Sequence, residues 1–220
     1  MNFAIEARKL ANYIITLEND FTFYSSNNKF NYNHIGALLT NIVLQAGLNY
    51  NSVVKPRVNK LLLLYPEINT TKKFKDLIDH QGLSNLIDWQ HHIKLNRIYE
   101  LIQFLLANNI NTCVDFKIYL LESSNHQKLM EINGVGPKTV DYLLKLLNFD
   151  VVAVDRHINS FVQMAEIETP NYIYTKKTVE YAADFLSVSR TSLDYSIWSY
   201  MSKKEFIKNN ITSQLIFDFA

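Results

Sequence analysis

Apolar residues recur along most of the chain with the spacing of an α-helix. Several segments place them at positions i, i+3, i+4 and i+7, which gathers them on one helical face. These stripes cover residues 10–17, 35–46, 54–65, 98–105, 140–147, 158–165, 179–186 and 193–201. Only residues 151–154 look like a strand, and so short and isolated a run cannot found a sheet. The pattern therefore predicts an all-α fold.

Composition narrows the class of protein further. Nearly half of the 220 residues are hydrophobic, enough for a core without metals or disulfides. A single cysteine, Cys113, excludes an internal disulfide framework and any multi-cysteine metal site, and it favours a reducing, cytoplasmic compartment. No apolar run approaches the roughly 20 residues of a membrane helix, and charges at residues 6, 8 and 9 argue against a signal peptide. The net charge of +1 means that any contact with DNA must come from local patches.

The segment NGVGPKT, residues 133–139, predicts a tight turn followed by a helix. Gly134 and Gly136 permit unusual backbone angles and let another molecule approach the main chain closely. Pro137 suits the first position of a helix, where a missing N–H costs nothing. The remaining N–H groups of that helix start form a site suited to a phosphate. Lys138 projects opposite the apolar stripe, which for a lone lysine usually means an ordinary solvent-exposed side chain.

A second candidate, Asp155, follows Lys138 by 17 residues and stands before the stripe at 158–165. Its position is that of a helix N-cap, and capping alone would explain it. Capping is compatible with catalysis, because the amides of a helix start hold a carboxylate ionised and fixed. A fixed anion can stabilise a sugar that becomes positively charged during cleavage of a glycosidic bond.

Taken together, these motifs resemble the helix–hairpin–helix DNA glycosylase superfamily and, within it, the endonuclease III-like enzymes. The matching residues are Gly134, Val135, Gly136, Lys138, Thr139, Val154, Asp155 and His157. Residues 38–66 are similar to a family segment from which one side chain fills the gap left by an extruded base, and Gln45 is the matching residue. Residues 192–201 resemble a late family helix that contains an aspartate and a tryptophan. The chain has no cysteine after Cys113, so it lacks the iron–sulfur loop of endonuclease III, as do the 8-oxoguanine-excising branches.

The resemblance implies two helical domains with an active-site cleft between them. Residues 31–153 would form a helical barrel that contains the helix–hairpin–helix motif, and residues 1–30 with 154–220 would form the second domain. Lys138 and Asp155 would be catalytic and would face each other across the cleft. Contacts with DNA are expected at Gln45, Gly134, Val135, Gly136, Thr139, Arg156 and His157. Lys55, Arg57 and Lys60 are candidates for additional phosphate contacts.

The implied activity is base-excision repair by a DNA glycosylase with AP lyase activity. Its partner would be double-stranded DNA that contains a damaged base, expected to be an oxidised one, or an abasic site. The enzyme is expected to act as a monomer, without a metal or other cofactor. The alternatives are a glycosylase without lyase activity, a non-catalytic helix–hairpin–helix DNA-binding protein, and a helical scaffold with no DNA partner.

Overall fold

The computed structural model describes residues 3–25 and 32–218, with side chains through residue 205. Within these ranges the secondary structure is helical, and no strand is found. The α-helices in chain order are α1 Phe3–Thr16, α2 Ile35–Leu44, α3 Lys55–Leu64, α4 Thr71–Gln81, α5 Leu83–Leu86, α6 His92–Ala107, α7 Cys113–Tyr119, α8 Ser124–Met130, α9 Pro137–Leu146, α10 Arg156–Met164, α11 Tyr172–Phe185 and α12 Arg190–Asp218. A 3₁₀ turn at Glu18–Asp20 follows α1, and a π-helical segment at Tyr50–Val54 precedes α3.

The predicted all-α class is confirmed for the described residues. Every predicted apolar stripe lies within a helix or extends past its end by no more than two residues, which is the usual uncertainty of helix boundaries. The strand-like run at 151–154 lies outside the helices and pairs with no strand of the described residues. Instead, the Ala153 N–H donates to the buried Asp194 Oδ2 at 2.7 Å. Among the described helices, none is both long and apolar enough to cross a membrane.

Contacts between Cα atoms group the chain into two compact units. The terminal unit comprises Met1–Lys29 and Asp150–Ala220, and the central unit comprises Phe30–Phe149. The domain boundary predicted at residues 30 and 31 lies outside the described residues. The boundary predicted at residues 153 and 154 stays a prediction, because compactness does not show that either unit folds alone.

In the terminal unit, α1 packs against α11, and α12 packs against both α10 and α11. Phe161 of α10 is fully buried at the centre of this core. Its ring centroid lies 5.6 Å from each of the rings of Tyr13, Phe21 and Tyr200. Aromatic contacts at such distances add to the stabilisation from burial alone. The apolar stripes predicted along α1, α10, α11 and the start of α12 therefore meet in one core.

The central unit is organised around α2. Every residue of this helix is buried, and it packs against α3, α4, α6 and α9. A helix buried on all sides needs apolar residues around most of its circumference, and the polar exceptions in α2, Thr40 and Asn41, are buried as well. Because α2 ends at Leu44, the turn that carries Gln45 emerges directly from the core of the unit.

Candidate functional site

The turn between α8 and α9 contains the two glycines of the predicted hairpin. Gly134 has φ +79°, a left-handed conformation that favours glycine over residues with a side chain. The Val135 N–H closes the turn by donating to the Ile132 carbonyl at 2.9 Å. The Arg97 guanidinium occupies the space in which a side chain at residue 134 would lie. Both the backbone angle and this contact therefore require glycine at 134.

Gly136 differs from Gly134, because nothing in the fold requires it. It is the N-cap of α9, with φ −101° and ψ 179°, and any amino acid can adopt this extended conformation. A Cβ atom built on Gly136 would meet no other atom within 4 Å. The space beside this residue is therefore open to an outside molecule.

Several backbone N–H groups around the start of α9 have no partner within the described residues. The Thr139 and Val140 N–H groups donate to the Gly136 carbonyl, at 2.9 and 3.1 Å. The structure gives no such acceptor to the N–H groups of Gly134, Gly136 and Lys138. Unpaired N–H groups at a helix start suit an anion, and the open space at Gly136 lets one approach.

The predicted nucleophile, Lys138, lies in the first turn of α9 and is half-buried. No carboxylate or carbonyl of the described chain pairs with its amine. Thr139 is also half-buried, whereas Val135 is 5% exposed. The side chain of Val135 therefore packs inward, and only its backbone is placed to contact a ligand.

Gln45 is the C-cap residue of α2, and its N–H donates to the Asn41 carbonyl at 3.0 Å. Its side chain is half-buried, and no described residue hydrogen-bonds to it. The turn continues through Gly47, which has φ +77°. The predicted gap-filling residue therefore stands where a buried helix gives way to an exposed turn.

A buried asparagine joins the helix of Gln45 to the helix of Lys138. Asn41 is one helical turn before Gln45, and its Nδ2 donates to the Tyr32 hydroxyl at 2.6 Å. The Tyr142 hydroxyl, one turn after Lys138, donates to Asn41 Oδ1 at 3.2 Å. Burial raises the pKa of Tyr32 to about 12. The pattern of the sequence did not predict this network, although an asparagine within the apolar stripe of α2 was a signal for it.

In the terminal unit, Asp155 is the N-cap of α10, as predicted from the sequence. Its Oδ1 accepts the Ile158 N–H at 3.0 Å, while Oδ2 has no partner in the described part of the chain. The bond from Ala153 to Asp194 holds the backbone two residues before it. The half-buried carboxylate is thus fixed through one oxygen and keeps the other available.

Arg156 and His157 both contact α12. Arg156 is exposed and pairs with Glu205, with Nη2 and Oε2 3.2 Å apart. Because exposed ion pairs contribute only about 0–1 kcal/mol, Arg156 can exchange this partner for a phosphate at little cost. His157 is 7% exposed, and its ring meets the Trp198 ring edge-on with centroids 6.3 Å apart. Burial makes His157 a poor candidate for the DNA contact expected of it.

Two of the candidate phosphate contacts instead hold a loop of the central unit. Arg57 donates through Nε and Nη2 to the Asp88 carbonyl, at 3.2 and 3.0 Å, and lies over the Trp89 ring. Lys60 Nζ donates to the Asn85 carbonyl at 3.0 Å and pairs with Asp88 Oδ1 at 2.8 Å. Lys55 is exposed at the start of α3. Arg57 and Lys60 therefore have a structural explanation that the sequence did not reveal.

Across the described residues, no group of three or more His, Cys, Asp or Glu side chains converges as a metal site would need. Comparison with known proteins places the chain in a family. Residues 27–202 match the model of a domain of unknown function, DUF8548, and the chain belongs to this family. No curated protein and no solved structure matches the chain.

Proposed function

We propose that this protein is a DNA glycosylase with AP lyase activity that acts on a damaged base in double-stranded DNA. The damaged base that we expect it to remove is an oxidised one. The observation that carries the proposal is the start of α9. There, an open glycine, unpaired backbone N–H groups and a lysine without an ionic partner stand within five residues, 134–138. Such an arrangement binds a phosphate through the backbone and leaves an amine available for chemistry.

In the proposed reaction, Lys138 is the nucleophile. The damaged nucleotide is extruded from the duplex, and Gln45 fills the space it leaves. The neutral amine of Lys138 attacks C1′ of the sugar, the C1′–N bond breaks, and the base leaves with its bonding electrons and takes up a proton. Ring opening then gives a Schiff base between Lys138 and C1′. Loss of a proton from C2′ and cleavage of the C3′–O bond, a β-elimination, nick the strand, and water then hydrolyses the Schiff base to free the Lys138 amine.

Asp155 would support this reaction in two ways. Its carboxylate would stabilise the positive charge that develops on the sugar as the C1′–N bond breaks. It would also accept a proton from the Lys138 ammonium, which must be neutral before it can attack. What supports these roles is that the Ile158 N–H fixes Oδ1 and that Oδ2 keeps its lone pairs available.

Base release from defined duplexes tests the proposal and separates it from its alternatives. Duplexes that each contain one oxidised pyrimidine, one 8-oxoguanine or one abasic site are incubated with the protein, and free base and nicked strand are measured separately. The proposed enzyme releases a base from at least one damaged duplex and nicks the abasic one. Base release without nicking would support a glycosylase that lacks lyase activity. Binding without either product would support a non-catalytic DNA-binding protein.

A further inference from the structure

Helix α6 carries two basic residues that reach away from it to different turns of the central unit. Lys94 and Arg97 are three positions apart, so their side chains leave the same face of the helix. Each ends on backbone carbonyl groups far away in sequence. The turns that they reach are those of Gln45 and of Gly134.

Lys94 holds the C-terminal end of α2. Its Nζ donates to the carbonyls of Val43 and Ala46, at 2.9 and 2.8 Å. Carbonyls at a helix end lack partners within the helix, so a cation there satisfies them and favours the helix dipole. The two carbonyls flank Gln45 on either side. The bonds therefore fix the backbone from which the Gln45 side chain extends.

Arg97 holds the turn between α8 and α9. Its Nε donates to the Asn133 carbonyl at 2.8 Å. The guanidinium then lies against Gly134, in the space that a side chain at that position would fill. The turn therefore depends on Gly134 for two reasons: glycine tolerates the positive φ, and its lack of a side chain leaves room for this guanidinium.

We infer that Lys94 and Arg97 are positioning residues for DNA binding, which hold the Gln45 turn and the hairpin turn in a fixed relation before DNA arrives. This inference rests on the proposed function, because it assigns the two turns to the same ligand. Both turns are attached to one helix, so their spacing is set within the central unit. Fixing contact points in advance lowers the entropy that binding would otherwise lose.

The first part of the test needs no DNA. Amide hydrogen exchange is measured in the free protein for the wild type, Lys94→Met and Arg97→Met. Lys94→Met should accelerate exchange in residues 45–49, and Arg97→Met should do so in residues 132–138. Matched controls are Lys60→Met and Arg57→Met, which remove hydrogen bonds of the same kind to the Asn85 and Asp88 carbonyls. These controls should leave the exchange rates of both turns unchanged.

The second part measures affinity for a duplex with one abasic site, at a temperature where every variant is folded. Turns that are no longer held in advance must be ordered when DNA binds, so Lys94→Met and Arg97→Met should each raise the Kd about tenfold. Because each residue acts through a turn, Lys94→Met should change the Kd less than about twofold in a Gln45→Ala background. Arg97→Met should likewise add little to Gly136→Asp. Arg97→Lys, which can still reach Asn133, should restore most of the affinity.

The outcomes are distinguishable. Unchanged exchange in both turns would overturn the inference, whatever the DNA results. Faster exchange with an unchanged Kd, or full additivity with the Gln45 and Gly136 variants, would reduce Lys94 and Arg97 to structural residues and would overturn it as well. A wild type that fails to bind any duplex would overturn the proposed function and with it the role of the two residues, while the exchange data would still report whether the turns are held.

Discussion

Replacing Gly136 with aspartate should stabilise the protein and yet impair DNA binding. In the fold, Gly136 is an N-cap without a side-chain hydrogen bond, and a Cβ atom there meets nothing. Aspartate is among the best N-cap residues, because its carboxylate accepts N–H groups of the first turn. The same carboxylate would occupy the open space in which the proposed function puts a phosphate.

The stabilising terms are modest. A better cap contributes roughly 0.3 kcal/mol relative to glycine. Interaction of the carboxylate with the helix N-terminus adds about 0.3–1 kcal/mol, and the loss of glycine's freedom in the unfolded chain adds about 0.4–1 kcal/mol. The free energy of unfolding should therefore rise by roughly 1–2 kcal/mol. For a chain of this size, each 1 kcal/mol raises Tm by about 2–4 °C.

The effect on DNA binding is larger and opposite in sign. Two like charges about 4 Å apart repel by about 4 kcal/mol at an effective dielectric constant of about 20. Even if salt and water reduce this to a third, the remaining 1.4 kcal/mol or so corresponds to about tenfold in Kd. We therefore expect Gly136→Asp to bind an abasic duplex at least about tenfold more weakly than the wild type.

Fluorescence anisotropy with a labelled duplex measures the Kd, and calorimetry measures Tm. The matched control is Thr70→Asp, which adds the same charge at the N-cap of α4 in the same unit. The control should keep the wild-type Kd to within about twofold. Wild-type affinity in Gly136→Asp would refute the phosphate site, and a fall in Tm would refute the conclusion that the fold does not require glycine at 136.

Three further predictions concern single residues. Gly134→Ala should lower the free energy of unfolding by at least about 1–2 kcal/mol, because alanine is strained at φ +79° and its Cβ displaces the Arg97 guanidinium. An unchanged Tm would contradict this prediction. Asp155→Asn should keep the capping bond to the Ile158 N–H, and therefore the wild-type Tm, while the rate of base release falls at least about 100-fold. Base release at the wild-type rate would show that Asp155 only caps the helix. Cys113 is 3% exposed, and burial raises the pKa of its thiol to about 12. Ellman's reagent should therefore label this thiol only after the protein is unfolded in guanidinium. Immediate labelling of the native protein would contradict the burial of Cys113.

Periodicity predicted the helices whose sequences carry a long apolar stripe, including α3, which buries only Val58 and Leu61, and it missed helices with shorter stripes. Helix α4 buries only Thr71, Phe74 and Ile78, and α7 buries only Cys113 and Phe116. Their positions follow from capping as much as from burial: Thr112 and Asp115, for example, form a capping box at the start of α7. Stripes of two or three residues do not stand out from the background of the sequence.

The candidate site was predictable where its residues are close in sequence. The turn at Gly134 and the cap at Asp155 follow from local rules, since glycine tolerates positive φ and aspartate caps helices. The sequence could not distinguish the glycine that the fold requires, Gly134, from the one that it does not, Gly136. That distinction depends on Arg97, which lies 36 residues from Asn133, its hydrogen-bond acceptor. Contacts from a side chain to a distant carbonyl leave no periodic signal.

Borohydride trapping on a duplex with one abasic site tests directly whether Lys138 forms a Schiff base with DNA. The covalent complex is digested, and the modified peptide is identified by mass spectrometry, beside Lys138→Ala and Lys145→Ala, a control on the same helix. We expect a trapped complex linked through Lys138, absent in Lys138→Ala and present in Lys145→Ala. Attachment at another residue, or no trapping by wild-type protein that binds the duplex, would contradict it.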